Sequence, residues 1–319
     1  MVLGVALCRQ TLYGICITTF QTTLKAERKP PLDVPDPQIA FREVGRLSKQ
    51  MHDSLIFLGL EYINKITGTM KSDANDRFML LRDSILYRVR TLTYHLGLLQ
   101  SIKENQLAHL QKLKFNSSER QMALLDGAEQ QFGLFDDIVL HSISLFDYVG
   151  NLADYVCGTK GRMGLQWNGL VAACRSTDNE LSRSPISQFV LNLHEAFVDK
   201  LYGHRSQVIH FKSDAGSVQI SFSLHTGVST FTVFAPKKFV KVIEPLSGLT
   251  LNNQLTLNYV SFWTVENTIK ASSDLARQMV AHIKGHRKTK PGSDLFIFKR
   301  NISGDDKGSS GDAPDANAV

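Results

Sequence analysis

The sequence predicts a mainly α fold: a helical bundle with a small β-hairpin before a C-terminal helix. Three observations carry that expectation. Apolar residues recur at steps of three and four over long segments. Helix-starting residues stand at the heads of those segments. Apolar–polar alternation at period two appears in one stretch, after residue 213.

The first helix opens at Asp36-Pro37, where Asp can cap free N–H groups and Pro suits the first helical position. Behind it Phe41, Val44, Leu47, Met51, Leu55, Leu58 and Tyr62 draw one apolar stripe, and Gly68 ends it. A second helix is expected from Ser72 to Leu113, with Phe78, Leu81, Ile85, Leu92, Leu96, Leu99 and Leu110 on its face and a kink near Gly97. The third opens with a capping box, Ser118 to Gln121, and carries Phe135, Ile138, Ser142, Leu145, Val149, Leu152 and Val156 up to a closing Gly158. A shorter helix over Leu165–Cys174 holds Trp167, Leu170 and Val171. The next starts at Ser184-Pro185 and buries Phe189, Leu193, Phe197 and Leu201. Alternation over Ser217–Phe234 predicts the hairpin, and a last helix covers Leu257–Ile283. Trp167 and Trp263 read as core or interface residues.

Residues 1–35 form an N-terminal extension, 36–212 the bundle, 213–300 a hairpin and helix packed on it, and 301–319 a Ser/Gly/Asp-rich tail expected to be disordered. The alternative is a split into helices up to Lys212 and a small α+β unit from Ser213 to about Arg300. The 319 residues are 43% hydrophobic and 21% charged, which excludes wholesale disorder, collagen-like repeats and a small disulfide scaffold. A formal charge of +6 favours a polyanionic partner without requiring one. The basic run Lys284–Lys290 reads as a solvated surface.

Cys8, Cys16, Cys157 and Cys174 form no CxxC pair and no zinc-spaced cluster, so buried free thiols are expected. No stretch reaches the ~20 unbroken apolar residues of a membrane helix. Met1–Phe20 is interrupted by Arg9 and Gln10 and lacks a basic lead, so it makes a poor signal peptide. A cytoplasmic protein with no membrane partner is the expectation. The sequence holds no GxGxxG after a strand, no GxxxxGK[ST], no HExxH and no nucleophile elbow, which argues against dinucleotide-dependent and P-loop enzymes.

One short segment carries chemistry. Leu201-Tyr202-Gly203-His204-Arg205-Ser206-Gln207-Val208-Ile209-His210 places an arginine and a histidine with four residues between them at a helix end. Arginine with four to six residues before histidine occurs five times here, against about 1.5 expected by random placement, so the bare spacing decides nothing. The matches are Arg46/His52, Arg88/His95, Arg90/His95, Arg205/His210 and Arg277/His282. Only Arg205/His210 follows a capped helix, carries Val208-Ile209 before the histidine and leads into a turn. His141, four residues after Asp137, reads as half of a structural ion pair.

Over residues 118–212 the chain resembles the HEPN superfamily, all-α domains of ribonucleases and their inactive relatives, through this R-x4-6-H motif and the long preceding helix with Asp136, Asp137 and Asp147. The resemblance implies a metal-independent endoribonuclease of a toxin or defence type, with no cofactor. Arg205 would grip the scissile phosphate, His210 would move protons, and Ser206 and His204 would orient the imidazole or contact RNA. HEPN domains pair two motifs across one cleft, which implies a homodimer through the Ser184–His210 helix, with an antitoxin or defence-system partner. The alternative is a non-catalytic helical interaction module that keeps the fold. Ser206, where the family usually has Asn, Asp or His, leans towards it.

Overall fold

The computed structural model describes residues 2–6, 10–12, 15–17, 21–22, 31–66, 73–114, 117–157, 166–177, 180–210, 218–223, 229–250 and 254–285. Side chains are described over 31–63, 77–114, 117–157, 166–177, 181–208, 231–250 and 254–285. The described residues are mainly helical, as the sequence predicts.

Short strands β1 (Val2–Ala6), β2 (Gln10–Leu12), β3 (Ile15–Ile17) and β4 (Gln21–Thr22) precede the helices. Helix α1 (Pro37–Ile66) starts as expected: Asp36 Oδ1 accepts from the N–H groups of Gln38 and Ile39 at 2.8 and 3.2 Å. Helix α2 (Asp73–Lys112) is one continuous helix through Gly97. Helix α3 (Ser118–Cys157) is capped one residue earlier than the capping box suggests. Ser117 Oγ accepts from the Arg120 N–H at 3.1 Å, which makes Ser117 the cap and Ser118 the first helical residue.

Helix α4 (Trp167–Arg175) lies against α3 at a point where a side chain would not fit. A Cβ on Gly150 would stand 3.3 Å from the Trp167 Cα, so glycine lets the two backbones approach. After a 3₁₀ turn at Glu180–Arg183 come α5 (Pro185–Leu193) and α6 (Asp199–His210), joined by a π turn over His194–Val198. The single helix read from the sequence is therefore continuous but carries one inserted register shift.

Strands β5 (Val218–Ser223) and β6 (Ser229–Val233) form the expected antiparallel hairpin, Ile220 opposite Phe231. β1 adds to its free edge, Leu3 opposite Phe222, giving the order β4-β1-β5-β6. Two helices not read from the sequence follow, α7 (Lys237–Val242) and α8 (Glu244–Thr250), six and seven residues long. Helix α9 (Leu257–Gly285) closes the described chain.

The core gathers where α9 packs against α1 and α3 and where α2 packs on α3. Val44, Leu47, Met51, Leu55, Leu58 and Tyr62 of the predicted α1 stripe are all buried. So are Phe78, Ile85, Leu92, Leu96, Leu99 and Leu110 of α2. Each such apolar side chain contributes about 1.5–3 kcal/mol on leaving water. Helix α9 also buries hydroxyls and satisfies two of them internally: Ser261 and Thr264 donate to the carbonyls of Leu257 and Val260, both at 2.8 Å, whereas the hydroxyls of Thr268 and Ser272 find no partner among the described residues. Ser273 instead meets Ser54 of α1 at 3.0 Å, one polar link inside an apolar contact. Among the described residues no helix is long and apolar enough to cross a membrane.

Candidate functional site

The motif helix is anchored at its head and along its inner face. At its head Ser184 Oγ accepts from the Ile186 N–H at 3.3 Å and meets His282 Nδ1 of α9 at 2.8 Å. Pro185 occupies the first helical position, as the sequence indicates. Val190, Phe197, Val198 and Leu201 then face the core.

Two polar contacts pin α6 onto α3. The Tyr202 hydroxyl donates to Asp147 Oδ1 at 2.6 Å, and that same oxygen accepts the Trp167 backbone N–H at 3.0 Å. His204 Nε2 lies 3.1 Å from Asp136 Oδ1, with the imidazole 6% exposed and edge-on to Phe135 and Phe239. Burial, then the bond to Asp147, pushes the Tyr202 phenol well above its ordinary pKa, and the nearby Arg205 charge opposes that shift. Asp136 and Asp147, two of the aspartates that stud α3, thus hold the motif helix.

The remaining motif residues turn outward. Gly203, Arg205, Ser206 and Gln207 are exposed. Arg205 has no acidic partner among the described residues; Asp199, an acid at the start of the same helix, pairs with Lys200 at 3.3 Å. His210 is the last residue of α6, and its side chain lies outside the described residues. Of the four predicted site residues, the structure therefore separates three into an exposed pair, Arg205 and Ser206, and a buried His204 facing α3.

The other arginine–histidine matches have different surroundings. Arg46 and Arg277 border an open cavity of about 620 Å³ between α1 and α9. Each pairs with an acid of its own helix, Arg46 with Glu43 at 2.8 Å and Arg277 with Asp274. His282 is buried against Ser184. Arg88 and His95, seven residues apart on α2, are the exception, because they meet α3 on one face. Arg88 Nη1 donates to His141 Nδ1 at 3.0 Å, and the His95 and His141 rings lie 4.9 Å apart. The ion pair expected between Asp137 and His141 does not form. Asp137 Oδ2 instead stands 3.7 Å from His95 Nε2, because the aspartate leans towards α2. Burial, with the charges of His95 and Arg88, lowers the His141 pKa. The spacing count includes Arg88/His95 among its five matches but gives no reason to single it out, because His141 joins it only through the packing of α3.

Cys157 and Cys174 are buried, and burial pushes the Cys174 thiol up to about 11. The side chains of Cys8 and Cys16 lie outside the described residues. Among the described residues, no three His, Cys, Asp or Glu side chains converge as a metal site. No family model matches the sequence, and neither a curated protein nor a solved structure matches it.

Proposed function

We propose that this chain is a HEPN-like, metal-independent endoribonuclease that works as a cytoplasmic homodimer. One observation carries the reading: Arg205 stands exposed and without an acid among the described residues, on a helix pinned from beneath by Asp136 and Asp147. A guanidinium left without a carboxylate can fork two hydrogen bonds onto a phosphate. His210 stands five residues on, and an imidazole can take and give protons in such chemistry. In the reaction a base takes the 2′-hydroxyl proton and the 2′-oxygen attacks phosphorus. The bond to the 5′-oxygen breaks, and an acid protonates that leaving oxygen. The products are a 2′,3′-cyclic phosphate and a 5′-hydroxyl. One Arg–His pair supplies only half of the acid–base set, so two copies of the motif would complete it.

A second reading is favoured by Ser206 beside Arg205 and by the buried His204–Asp136 contact. It is a non-catalytic helical module in which the helix end is purely structural. Incubation with total RNA in EDTA separates the two. The ribonuclease reading expects cleavage, lost ~10²–10⁴-fold in His210→Ala and abolished in Arg205→Ala. His282→Ala, a chance match to the same spacing, should still cleave wherever it folds. Equal cleavage by the parent and both motif variants would sink the assignment.

A further inference from the structure

We propose that the face of α2 and α3 carrying Arg88, His95 and His141 binds a single-stranded polynucleotide, with phosphates on the basic row and bases stacked on Tyr87 and Tyr94. This goes beyond the ribonuclease reading: it concerns other residues and stands whether or not Arg205 and His210 cleave RNA.

The starting observation is a repeat. Tyr87-Arg88 and Tyr94-His95 are the same aromatic–basic pair seven residues apart on α2. Seven residues are two turns, so the pairs recur along one side of the helix about 10.5 Å apart. Within each pair the groups touch. The Arg88 guanidinium carbon lies 5.5 Å from the Tyr87 ring centre, and the His95 ring sits edge-on to Tyr94 at 5.7 Å. The tyrosine rings are nonetheless 57% and 63% exposed, the largest aromatic surfaces α2 offers to water.

The basic row is held rigidly and is short of negative charge. Arg88 is also 5.7 Å from the centre of the Tyr148 ring of α3, so its guanidinium has one ring on either helix. Its hydrogen bond goes to the neutral acceptor His141 Nδ1, not to a carboxylate. Its Nε is buried and finds no acceptor among the described residues. The nearby acid, Asp137, is engaged with His95 at 3.7 Å and is half exposed, and Arg90 adds a second exposed cation on the same helix.

Those features select the ligand. Exposed rings interleaved with cations are what stacked bases and phosphates need together, and every base has a face to stack. A duplex keeps its bases stacked on one another, so it could use the cations but not the rings. An apolar protein surface could cover the rings but would strip water from Arg88 and His95 without replacing it.

The test is fluorescence anisotropy on the full chain with a labelled twelve-nucleotide 2′-O-methyl RNA and a DNA strand of the same sequence. Neither has the attacking 2′-hydroxyl, so cleavage cannot confound binding. Both strands should bind, more tightly than their duplexes, and a preference for one sugar would name the natural source. Tyr87→Ala/Tyr94→Ala should weaken binding at least tenfold, and Tyr87→Phe/Tyr94→Phe should stay within threefold of the parent, since phenylalanine keeps the ring. Arg88→Ala should lower the salt slope by about one phosphate contact. Lys241→Ala, an exposed cation on α7, should bind within threefold of the parent, which separates this face from surface charge in general. Duplex binding as tight as single-strand binding would overturn the proposal. So would strand binding lost in Arg205→Ala but unchanged in the tyrosine double alanine variant. A double alanine variant that dissociates a dimer while leaving strand affinity untouched would show that a second copy covers the face, and would overturn it too.

Discussion

Asp136 and Asp137 are neighbours on α3, and each meets a histidine from another helix, yet the two contacts do different things. Asp136 faces α6, where His204 is 6% exposed, 3.1 Å away and enclosed by Phe135 and Phe239. Asp137 faces α2, where it is 51% exposed and its His95 partner stands 3.7 Å off. Successive residues on a helix differ by about 100° in direction. One step of sequence therefore moves a carboxylate from a buried joint to an open surface. A buried hydrogen bond fixes geometry because breaking it strands a desolvated group, whereas water replaces a surface one readily. The contrast makes the His204–Asp136 contact a buried joint and leaves the Asp137–His95 contact on the open surface.

The largest effect should follow from breaking the buried joint. His204→Ala removes the Asp136 partner and a ring packed between two phenylalanines, and should cost about 2–4 kcal/mol. Asp137→Ala, one residue from the carboxylate that His204 loses, should stay within about 0.5 kcal/mol. Urea unfolding of the two variants beside the parent measures both. Equal losses would erase the distinction between the two faces.

The sequence makes the helices legible for a physical reason: a buried stripe must repeat near 3.6 residues, and Val44 to Tyr62 does so without a break. The Ser184-Pro185 start is equally plain, because few residues serve both roles. The cap of α3 is ambiguous, since Ser117 and Ser118 are adjacent and only geometry selects the first. The π turn at His194–Val198 leaves no mark, because it adds one residue without changing residue type. Helices of six and seven residues, such as α7 and α8, hold too few turns to show a period. At the candidate site, Arg205 can be picked out by spacing and context. The inward turn of His204 cannot, because its cause is an aspartate 68 residues earlier in the chain. The Arg88–His95 face looks like a chance match until α3 brings His141 against it.

A middle-sized effect should come from the head of the motif helix. Ser184 caps α5 and links it to His282 of α9, so Ser184→Ala loses both interactions at a buried position. The expected cost is about 1–2 kcal/mol. Asp36→Ala, an exposed cap on α1, should cost less. If the exposed cap proved the costlier of the two, the His282 link would contribute nothing to holding α5 in place.

The smallest effect is a pH dependence that belongs to the open face. Burial lowers the His141 pKa, the charges of His95 and Arg88 lower it further, and Asp137 opposes them. In the unfolded chain the same imidazole titrates near its ordinary value of about 6.5. Between that value and the depressed one, the unfolded state binds a proton that the folded state refuses. Stability from this group is therefore fully present above about pH 6.5 and is lost as the pH falls through that window. His194, lowered chiefly by burial, contributes in the same direction from the α5–α6 side. Urea midpoints at pH 7.5 and 5.5 should thus drop on acidification in the parent. They should drop less in His141→Gln, and least in His141→Gln/His194→Gln. A single His141→Gln slope equal to that of the parent would mean that neither burial nor the charges of His95 and Arg88 depress His141 in solution, and the α2–α3 face would lose its electrostatic distinction from the rest of the surface.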